Sequence, residues 1–250
     1  MYYPRMILFD YGHTLLAEPR FDPLKGNQAL LQYALVNKHG LTAEAVTNFS
    51  QKLFAEMGAV RKLGWEIHEH IFQRLLFDSL EIDLSISLQE AEKVFWDAAA
   101  PGARMPGTEE MLAQLDDWGI RSGVISNISF SGKALAQRIH HLLPGNSFEF
   151  ILASSEYGVR KPSPLLFEVA LKKAGLTPNE VWYCGDSVQA DVEGAANTGI
   201  FPVWYEDETM ENPWRGQNAG LAPSCDHLHI HRWTELTDTL ERLKNQKGAG

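Results

Sequence analysis

The chain opens with a short apolar run that ends at an acidic residue. Met6, Ile7, Leu8 and Phe9 are all apolar, and Asp10 follows them directly. An unbroken apolar run of this length, as opposed to an alternating one, is typical of a parallel strand that is covered on both faces. We therefore expect Asp10 at the carboxyl end of a buried strand.

The pattern changes to helical spacing between residues 23 and 100. Apolar residues recur at the spacing of one helical face, and runs of β-branched residues are rare. The groups that carry this spacing are Ala29, Leu30, Tyr33 and Ala34, then Phe49, Leu53, Phe54 and Met57, then Ile71, Leu75, Leu76 and Leu80. This segment is predicted to be a small all-helical module.

Strand-like and helix-like segments alternate over the rest of the chain. Prolines and glycines between residues 101 and 107 end the helical module, and Thr108 is predicted to cap a helix that Gly119 stops. The apolar patterns predict strands at residues 122–126, 148–152, 181–184, 201–204 and 227–230, and helices around residues 135–142, 166–171, 188–196 and 236–243. This alternation indicates an α/β protein.

Two helix starts and one loop carry local signals. Ser163 followed by Pro164 predicts an N-cap with proline at the first helical position. Residues 177–180, Thr-Pro-Asn-Glu, combine such a proline with a capping box. Residues 207–224 are polar and rich in Gly, Pro and Asn, which predicts a long surface loop.

The order of these elements predicts a fold class. Strands that alternate with helices form a doubly wound, Rossmann-like parallel sheet, in which ligands bind beyond the carboxyl ends of the strands. The helical module is then an insertion after the first strand. We expect residues 1–20 and 101–250 to form the α/β core, and residues 21–100 to form a helical cap domain.

Composition and charge narrow the possible partners. The 250 residues are 44% hydrophobic, which is enough for a large core, and the formal net charge of −10 opposes binding to nucleic acid and to anionic membranes. No stretch approaches the ~18 consecutive apolar residues of a membrane span. Cys184 and Cys225, the two cysteines, lack metal-type spacing. These features predict a cytoplasmic protein, and nothing in the sequence implies an obligate protein partner.

Polar segments are expected beyond the strand ends. They are residues 10–14, 126–127, 160–162 and 186–191. In a doubly wound sheet such segments converge on one crevice. The sequence therefore predicts a single site to which all of them contribute.

The residue types in these segments permit a particular chemistry. Asp10 and Asp186 would repel each other at close range unless a cation joined them, and oxygen ligands with open positions suit Mg²⁺. A lysine and a hydroxyl beside that ion supply donors for phosphoryl oxygens. A carboxylate can also act as a nucleophile, forming an aspartyl-phosphate that water later hydrolyses.

Taken in order, the four segments resemble the motifs of the haloacid dehalogenase superfamily of hydrolases. Each motif alone is a weak signal, but all of them in the right order are specific. The likeness spans roughly residues 5 to 245 and includes the helical insertion, which is similar to the cap domain of that superfamily. The matching sequences are Asp-Tyr-Gly-His-Thr-Leu at residues 10–15, Val-Ile-Ser-Asn at 124–127, Gly-Val-Arg-Lys-Pro at 158–162, and Tyr-Cys-Gly-Asp-Ser at 183–187 with Asp191.

The resemblance implies a nucleophile and a Mg²⁺ site. Asp10 would be both nucleophile and metal ligand, Gly12 a ligand through its backbone carbonyl, and Asp186 the second acidic ligand. Asp191 would be a partner of Lys161 or of a metal-bound water. Thr14 would orient the first loop.

The resemblance also implies how a phosphate group is held. Lys161 would steady the nucleophile and the phosphate, and Ser126 would donate to a phosphoryl oxygen. The substrate would be a small phosphorylated metabolite over which the cap closes. The residues expected to bind the phosphate are Ser126, Asn127, Lys161, Gly12 and His13.

One position departs from the pattern of the superfamily. Members that hydrolyse phosphate esters generally carry a second aspartate two residues after the nucleophile, which protonates the leaving alcohol and then activates water. Here that position is Gly12, so general acid–base assistance worth typically ~10²–10⁴-fold is missing there. His13 is the nearest substitute because imidazole titrates near neutral pH, although adjacent residues in an extended loop point in different directions.

Several functions remain open at this point. The chain is an enzyme for substrates with good leaving groups such as acyl or aryl phosphates, an enzyme that takes an acid from the cap, or a phosphate-binding protein without turnover. Metal-free 2-haloacid dehalogenation, in which Asp10 attacks carbon, ranks below these. Lys161 and Asp186 followed by Asp191 fit the metal-dependent branch as well or better.

Arginines and histidines elsewhere are interpreted as structural. Arg160 is expected to be a surface charge, and Arg20 an exposed residue of the linker into the insertion. His68 and His70, beside Trp65, are two residues apart, which keeps them off a common helical face. His227, His229 and His231 alternate along a strand-like segment and so point to one side of it; this segment is expected to be an edge strand rather than a metal site.

Overall fold

The first strand, β1 (Met6–Phe9), is fully buried, and the short strand β2 (Leu16–Ala17) follows it. This is a computed structural model, and it describes residues 1–18, 20–213 and 215–248. Asp10 comes directly after β1, at its carboxyl end. The apolar run therefore forms the buried strand that its pattern predicts.

A helical segment follows β2 and has its own apolar centre. Its four helices enclose buried side chains that include Leu30, Val46, Phe72 and Leu76. Its elements are α1 (Pro23–Leu31), β3 (Ala34–Asn37), α2 (Ala43–Met57), the 3₁₀ helix Gly58–Leu63, α3 (Glu69–Leu80), β4 (Ile82–Leu84) and α4 (Leu88–Ala99).

The apolar spacing predicted an all-helical segment, but the segment also contains two strands. Strands β3 and β4 pair as an antiparallel ribbon, with Ala34 opposite Leu84 and Asn37 opposite Ile82. Ala34 therefore lies in a strand rather than in a helix. Pairing between residues that are distant in sequence overrides local spacing here, which a helical pattern cannot reveal.

The remaining elements alternate between strand and helix, as predicted. No helix in the described part of the chain is both long and apolar enough to cross a membrane. The elements are β5 (Ala103–Arg104), α5 (Thr108–Asp117), β6 (Arg121–Ser126), α6 (Gly132–Leu142), β7 (Ile151–Ala153), α7 (Ser154–Tyr157), α8 (Pro164–Ala174), β8 (Val181–Gly185), a π-helical turn Val188–Glu193 that continues into α9 (Gly194–Ala196), β9 (Phe201–Tyr205), β10 (Leu228–Ile230) and α10 (Trp233–Gly248).

Within the described residues, six strands form one parallel sheet in the order β10-β9-β8-β1-β6-β7. Side chains of β1 alternate between two buried clusters, Ile7 and Phe9 in one and Met6 and Leu8 in the other. Burial on both faces explains the unbroken apolar run. The predicted α/β class with a Rossmann-like parallel sheet is confirmed.

Two predicted boundaries differ from the structure. The strand expected from residue 148 begins only at Ile151. The N-cap of α5 is Gly107, with a φ of 77°, whereas the Thr108 hydroxyl donates to the carbonyl of Leu15 at 3.3 Å. Ser163 is the N-cap of α8 and Pro164 its first residue, as predicted, although the Ser163 side chain makes no capping hydrogen bond. The predicted capping box at Thr177 is present, on the 3₁₀ turn Pro178–Glu180.

The helical segment is held to the sheet by backbone hydrogen bonds. At its ends, β2 and β5 pair antiparallel. In its middle, the Glu66 N–H donates to the Gly158 carbonyl and the Arg160 N–H donates to the Gly64 carbonyl, both at 2.9 Å. This second contact, which we call the seam, lies next to Lys161.

Glu69, at the start of α3, gives the segment a pH dependence. Burial, with a smaller contribution from Glu92, raises the pKa of Glu69 from its ordinary 4.5 to about 7. Between these two values the native state binds more protons than the unfolded state, so stability falls as pH rises through that window.

We expect Glu69→Gln to be more stable than the wild type at high pH. The gain should grow by about 2 to 3 kcal/mol between about pH 5 and about pH 8, because the variant has no carboxyl group to ionise. Urea unfolding at both pH values measures it, with the exposed Glu168→Gln as the control. A gain that does not change with pH would contradict the assignment.

Candidate active site

The four polar segments line one crevice, as predicted. Three of them follow the adjacent strands β1, β6 and β8, whereas residues 160–162, which were expected after a strand, follow the helix α7. Strand β1 lies between β6 and β8, so the residues that follow these strands meet at the middle of the sheet edge. They line a crevice of about 830 Å³. The predicted site residues on its wall are Asp10, Gly12, His13, Ser126, Asn127, Lys161, Asp186 and Asp191.

Lys161 is the centre of the site. Its side chain is 1% exposed, and its ammonium group donates to Asp10 at 2.7 Å, to Asp191 at 2.6 Å, to the Tyr183 hydroxyl at 2.5 Å and to the Ile125 carbonyl at 2.9 Å. Burial alone would lower the pKa of Lys161, but the two carboxylates raise it above its usual range. The lysine is therefore a permanent cation that fixes Asp10 in place.

Three carboxylates crowd together around this lysine. Oxygen atoms of Asp10, Asp186 and Asp191 lie within 4.8 Å of one another. Burial raises the pKa of Asp10 to about 6 even though Lys161 opposes the shift. Burial, and then the charges of Asp191 and Asp10, raise the pKa of Asp186 well above its usual range. The cluster carries more negative charge than one lysine can balance, which is the environment of a cation site.

The loop over residues 207–224 covers Asp186, so it is more than a surface loop. Side-chain amides of Asn212 and Gln217 donate to the Asp186 carboxylate at 3.2 and 3.4 Å. The Asn218 amide donates to the Asp186 carbonyl at 2.8 Å and accepts from the Val188 N–H at 3.0 Å. These amides orient the carboxylate towards the crevice.

Gly185 and Asp191 pack against each other below the site. A Cβ atom at position 185 would overlap the Asp191 carboxyl group. Asp191 also accepts from the Ser187 N–H at 2.9 Å. The glycine before Asp186 is therefore required for the close approach of Asp191, which leaves the second carboxylate oxygen for Lys161.

Gly12 and His13 occupy the wall of the crevice beside Asp10. A Cβ atom built on Gly12 meets nothing within 4 Å. His13 is 5% exposed, has a φ of 54°, and neither ring nitrogen has a hydrogen-bond partner within the described residues. Burial, and then the charge of Arg215, lower the pKa of His13 to about 4. His13 is therefore neutral at physiological pH, and a neutral imidazole is a far weaker acid than the imidazolium ion.

The other predicted residues differ in their placement. Ser126 ends β6 and lines the crevice. The Asn127 amide donates to the Lys161 carbonyl at 2.9 Å and accepts from the Lys161 N–H at 2.7 Å, so it positions the lysine backbone. Thr14 is fully buried, and its hydroxyl has no partner within the described residues. The assignment of Asn127 to phosphate stays a prediction.

Sequence reasoning missed two residues and misjudged a third. Tyr183 accepts from Lys161 and donates to the Ile125 carbonyl at 3.0 Å. A tyrosine within an otherwise apolar buried strand was a usable signal, because its hydroxyl needs a partner. Glu66 had no sequence signal. Arg160, expected to be a surface charge, instead lines the crevice and pairs with Glu66.

The histidines other than His13 that the sequence singled out, and Arg20, are not among the residues that line the crevice. His68 and His70 do touch each other, with ring centroids 4.8 Å apart, because His68 is the N-cap of α3 rather than part of it. His70 pairs with buried Glu92 at 2.8 Å. Arg20 is exposed. The later three, His227, His229 and His231, lie in and beside the edge strand β10, as predicted.

A parallel α/β sheet, with an aspartate beyond its central strand and a buried lysine beside it, defines a class of hydrolases. The chain belongs to the haloacid dehalogenase-like hydrolases, whose family model matches residues 5–199. The predicted superfamily is therefore confirmed.

Named relatives and solved structures agree with this assignment. Glyceraldehyde 3-phosphate phosphatase of Pyrococcus abyssi is 26% identical over 98% of this chain and 96% of its own. A pyrimidine 5'-nucleotidase of Escherichia coli is 26% identical over 92% of this chain and 96% of its own. The same fold occurs in a 2-haloacid dehalogenase of Pseudomonas syringae, with a TM-score of 0.61 and 22% identity over 96% of this chain and 99% of that one.

We expect Lys161→Met to destabilise the fold by about 3 kcal/mol at neutral pH without added metal. The substitution leaves Asp10 and Asp191 close together without their shared cation. Thermal or urea unfolding measures the loss. Lys172→Met, on the exposed side of α8, should change stability by no more than about 0.5 kcal/mol. Equal effects of the two substitutions would contradict the central role of Lys161.

Proposed function

We propose that the protein is a Mg²⁺-dependent phosphohydrolase that acts on a small phosphorylated metabolite, with Asp10 as the nucleophile. The observation that carries this proposal is the buried contact of Lys161 with Asp10 and Asp191, beside the carboxylate of Asp186. The phosphatase and nucleotidase names of the relatives support the same reaction class.

The residues present fit a magnesium ion. Asp10 and Asp186 supply carboxylate oxygens, the Gly12 carbonyl is the third protein ligand in the proposal, and the asparagine and glutamine amides of the 207–224 loop orient Asp186. Hard oxygen ligands with remaining positions for water and phosphate are what Mg²⁺ prefers. When bound, the ion would neutralise charge on the carboxylates and on the phosphoryl oxygens.

The side chains of this chain then account for each step. Lys161 and Ser126 hold the phosphoryl oxygens, and Lys161 keeps the Asp10 carboxylate ionised and aimed. A carboxylate oxygen of Asp10 forms a bond to phosphorus as the bond to the leaving oxygen breaks, which gives an aspartyl-phosphate. Water then attacks that phosphorus, inorganic phosphate leaves, and the Asp10 carboxylate is restored.

The leaving group receives no proton from the residues beside Asp10. Gly12 has no side chain, and His13, with a pKa lowered to about 4, is neutral. We therefore assign the enzyme to substrates whose leaving groups depart without protonation, such as acyl and aryl phosphates. The absence of an acid at position 12 also supports a second candidate, a phosphate-binding protein without turnover.

The cap and the location belong to the same proposal. Residues 21–100 would act as a cap domain that excludes water from the crevice and selects the leaving group. Cys184 and Cys225 are both free thiols, which fits the reducing cytosol proposed for the protein.

The first test is phosphate release from acetyl phosphate and from p-nitrophenyl phosphate. We expect release with Mg²⁺, none with EDTA, and a fall to background in Asp10→Asn, because the amide removes the nucleophile. Release that persists in Asp10→Asn would disprove the role of Asp10. Binding of phosphate without any release, measured as a rise in Tm, would favour the second candidate.

A second test restores the missing acid. Since nothing within 4 Å of Gly12 obstructs a Cβ atom, Gly12→Asp should fold and should raise kcat for alkyl phosphates by about 10²–10⁴-fold. Gly12→Asn, which adds the same volume without an acid, is the matched control. Equal rates in the two variants would show that an absent acid is not what limits turnover.

A further inference from the structure

Three cationic side chains line the crevice in addition to Lys161. Arg61 and Lys62 come from the 3₁₀ helix Gly58–Leu63 of the helical segment, and Arg160 comes from the seam. They line the same crevice as Asp10 and Lys161. We call the carboxylates of Asp10, Asp186 and Asp191, with Lys161, the floor of the site, and we call Arg61, Lys62 and Arg160 its basic wall.

Glu66, the carboxylate that contacts the wall, already accepts several hydrogen bonds. Glu66 has a fully buried side chain, and it accepts from Arg160, from the Ser154 hydroxyl at 2.7 Å and from the Ile67 N–H at 3.0 Å, while Arg61 lies 3.2 Å away. Within the described residues, it is the only carboxylate within 4.0 Å of either guanidinium group. Each guanidinium has five N–H donors, so most of them remain for another acceptor.

The wall has an excess of positive charge. Glu66 balances one of the two arginines, and Lys62 is exposed and makes no ion pair within the described residues. Burial, and then the like charge of Arg61, lower the pKa of Arg160, although the carboxylates of Glu66 and Asp10 oppose this shift. Glu18, which also lines the crevice, accepts from the Tyr11 hydroxyl and pairs with Arg138.

The floor does not supply the missing negative charge. With Mg²⁺ in place, the ion and Lys161 would together balance the three carboxylates of Asp10, Asp186 and Asp191. A phosphate group bound at the floor would itself add up to two negative charges. Two of the three wall residues, Arg61 and Lys62, lie on the helical segment and not at the strand ends that would hold this phosphate, so they are placed for a different part of the substrate.

We propose that Arg61, Lys62 and Arg160 form a subsite for a second anionic group, so that the substrate carries the phosphoryl group that is transferred and, at its other end, a carboxylate or a second phosphate. This inference rests on the proposed function for the placement of the first phosphate. Planar guanidinium groups suit both kinds of anion, because each presents paired oxygens.

The test is calorimetric titration of the Asp10→Asn variant in Mg²⁺, since this variant binds without hydrolysing. The probes are phosphoglycolate, which carries a carboxylate, ethanediol bisphosphate, which carries a second phosphate, and ethyl phosphate, which carries neither. We expect at least one of the two probes with a second anionic group to bind about 10- to 100-fold more tightly than ethyl phosphate. The better of the two identifies the second group.

Variants on the wall show where the preference arises. Adding Arg61→Ala or Lys62→Ala to the Asp10→Asn variant should reduce the preference for the probe with a second anionic group. It should leave the affinity for ethyl phosphate within about twofold. Arg61→Lys, which keeps the charge near Glu66, should retain part of the preference. The matched controls are Arg74→Ala and Lys52→Ala, which remove the same charges from exposed positions of the helical segment outside the crevice.

Equal affinity for all three probes, or no binding of any, would overturn the subsite, as would an equal loss in the control variants. These outcomes are separate from the test of hydrolysis. A wild type that fails to release phosphate, combined with a clear preference in Asp10→Asn, would disprove the proposed function and leave the subsite standing. Hydrolysis without the preference would support the proposed function and disprove the subsite.

Discussion

A lysine ammonium group with 1% exposure to water persists only if its surroundings replace the water completely. Lys161 meets this requirement with two carboxylates, a tyrosine hydroxyl and a backbone carbonyl. These partners come from β1, from β6, from β8 and from the turn after β8. This buried cation thereby joins residues at the ends of three neighbouring strands.

The same requirement links the site to the helical segment. The backbone of Lys161 is held by Asn127, and its neighbour Arg160 forms part of the seam with Gly64 and Glu66. Arg160 and Lys161 are adjacent in the chain, so a displacement of the segment would shift the backbone of Lys161. The contact between the segment and Arg160 thereby links the basic wall to the contact of Lys161 with Asp10.

Gly12 changes the chemistry of the site without changing its framework. The space beside it is open, the carboxylate cluster does not depend on it, and His13 is held neutral in a buried position. Under the proposed function, the site keeps the residues for phosphate binding and the nucleophile and lacks only an acid for the leaving group.

Sequence alone determined the elements whose signals are local. The unbroken apolar run Met6–Phe9 predicted a strand buried on both faces, and the order of the polar segments predicted the family and the residues gathered at the strand ends. Such inferences succeed because strand burial and strand-end position follow from residues adjacent in the chain.

Tertiary structure decided what depends on distant partners. The β3–β4 ribbon, the pairing of Arg160 with Glu66, the Tyr183 hydroxyl beside Lys161 and the loop over Asp186 each join residues far apart in sequence. Charge and burial at these positions are properties of the packed interior, because the pKa of His13 and the environment of Arg160 are set by groups brought there only by folding.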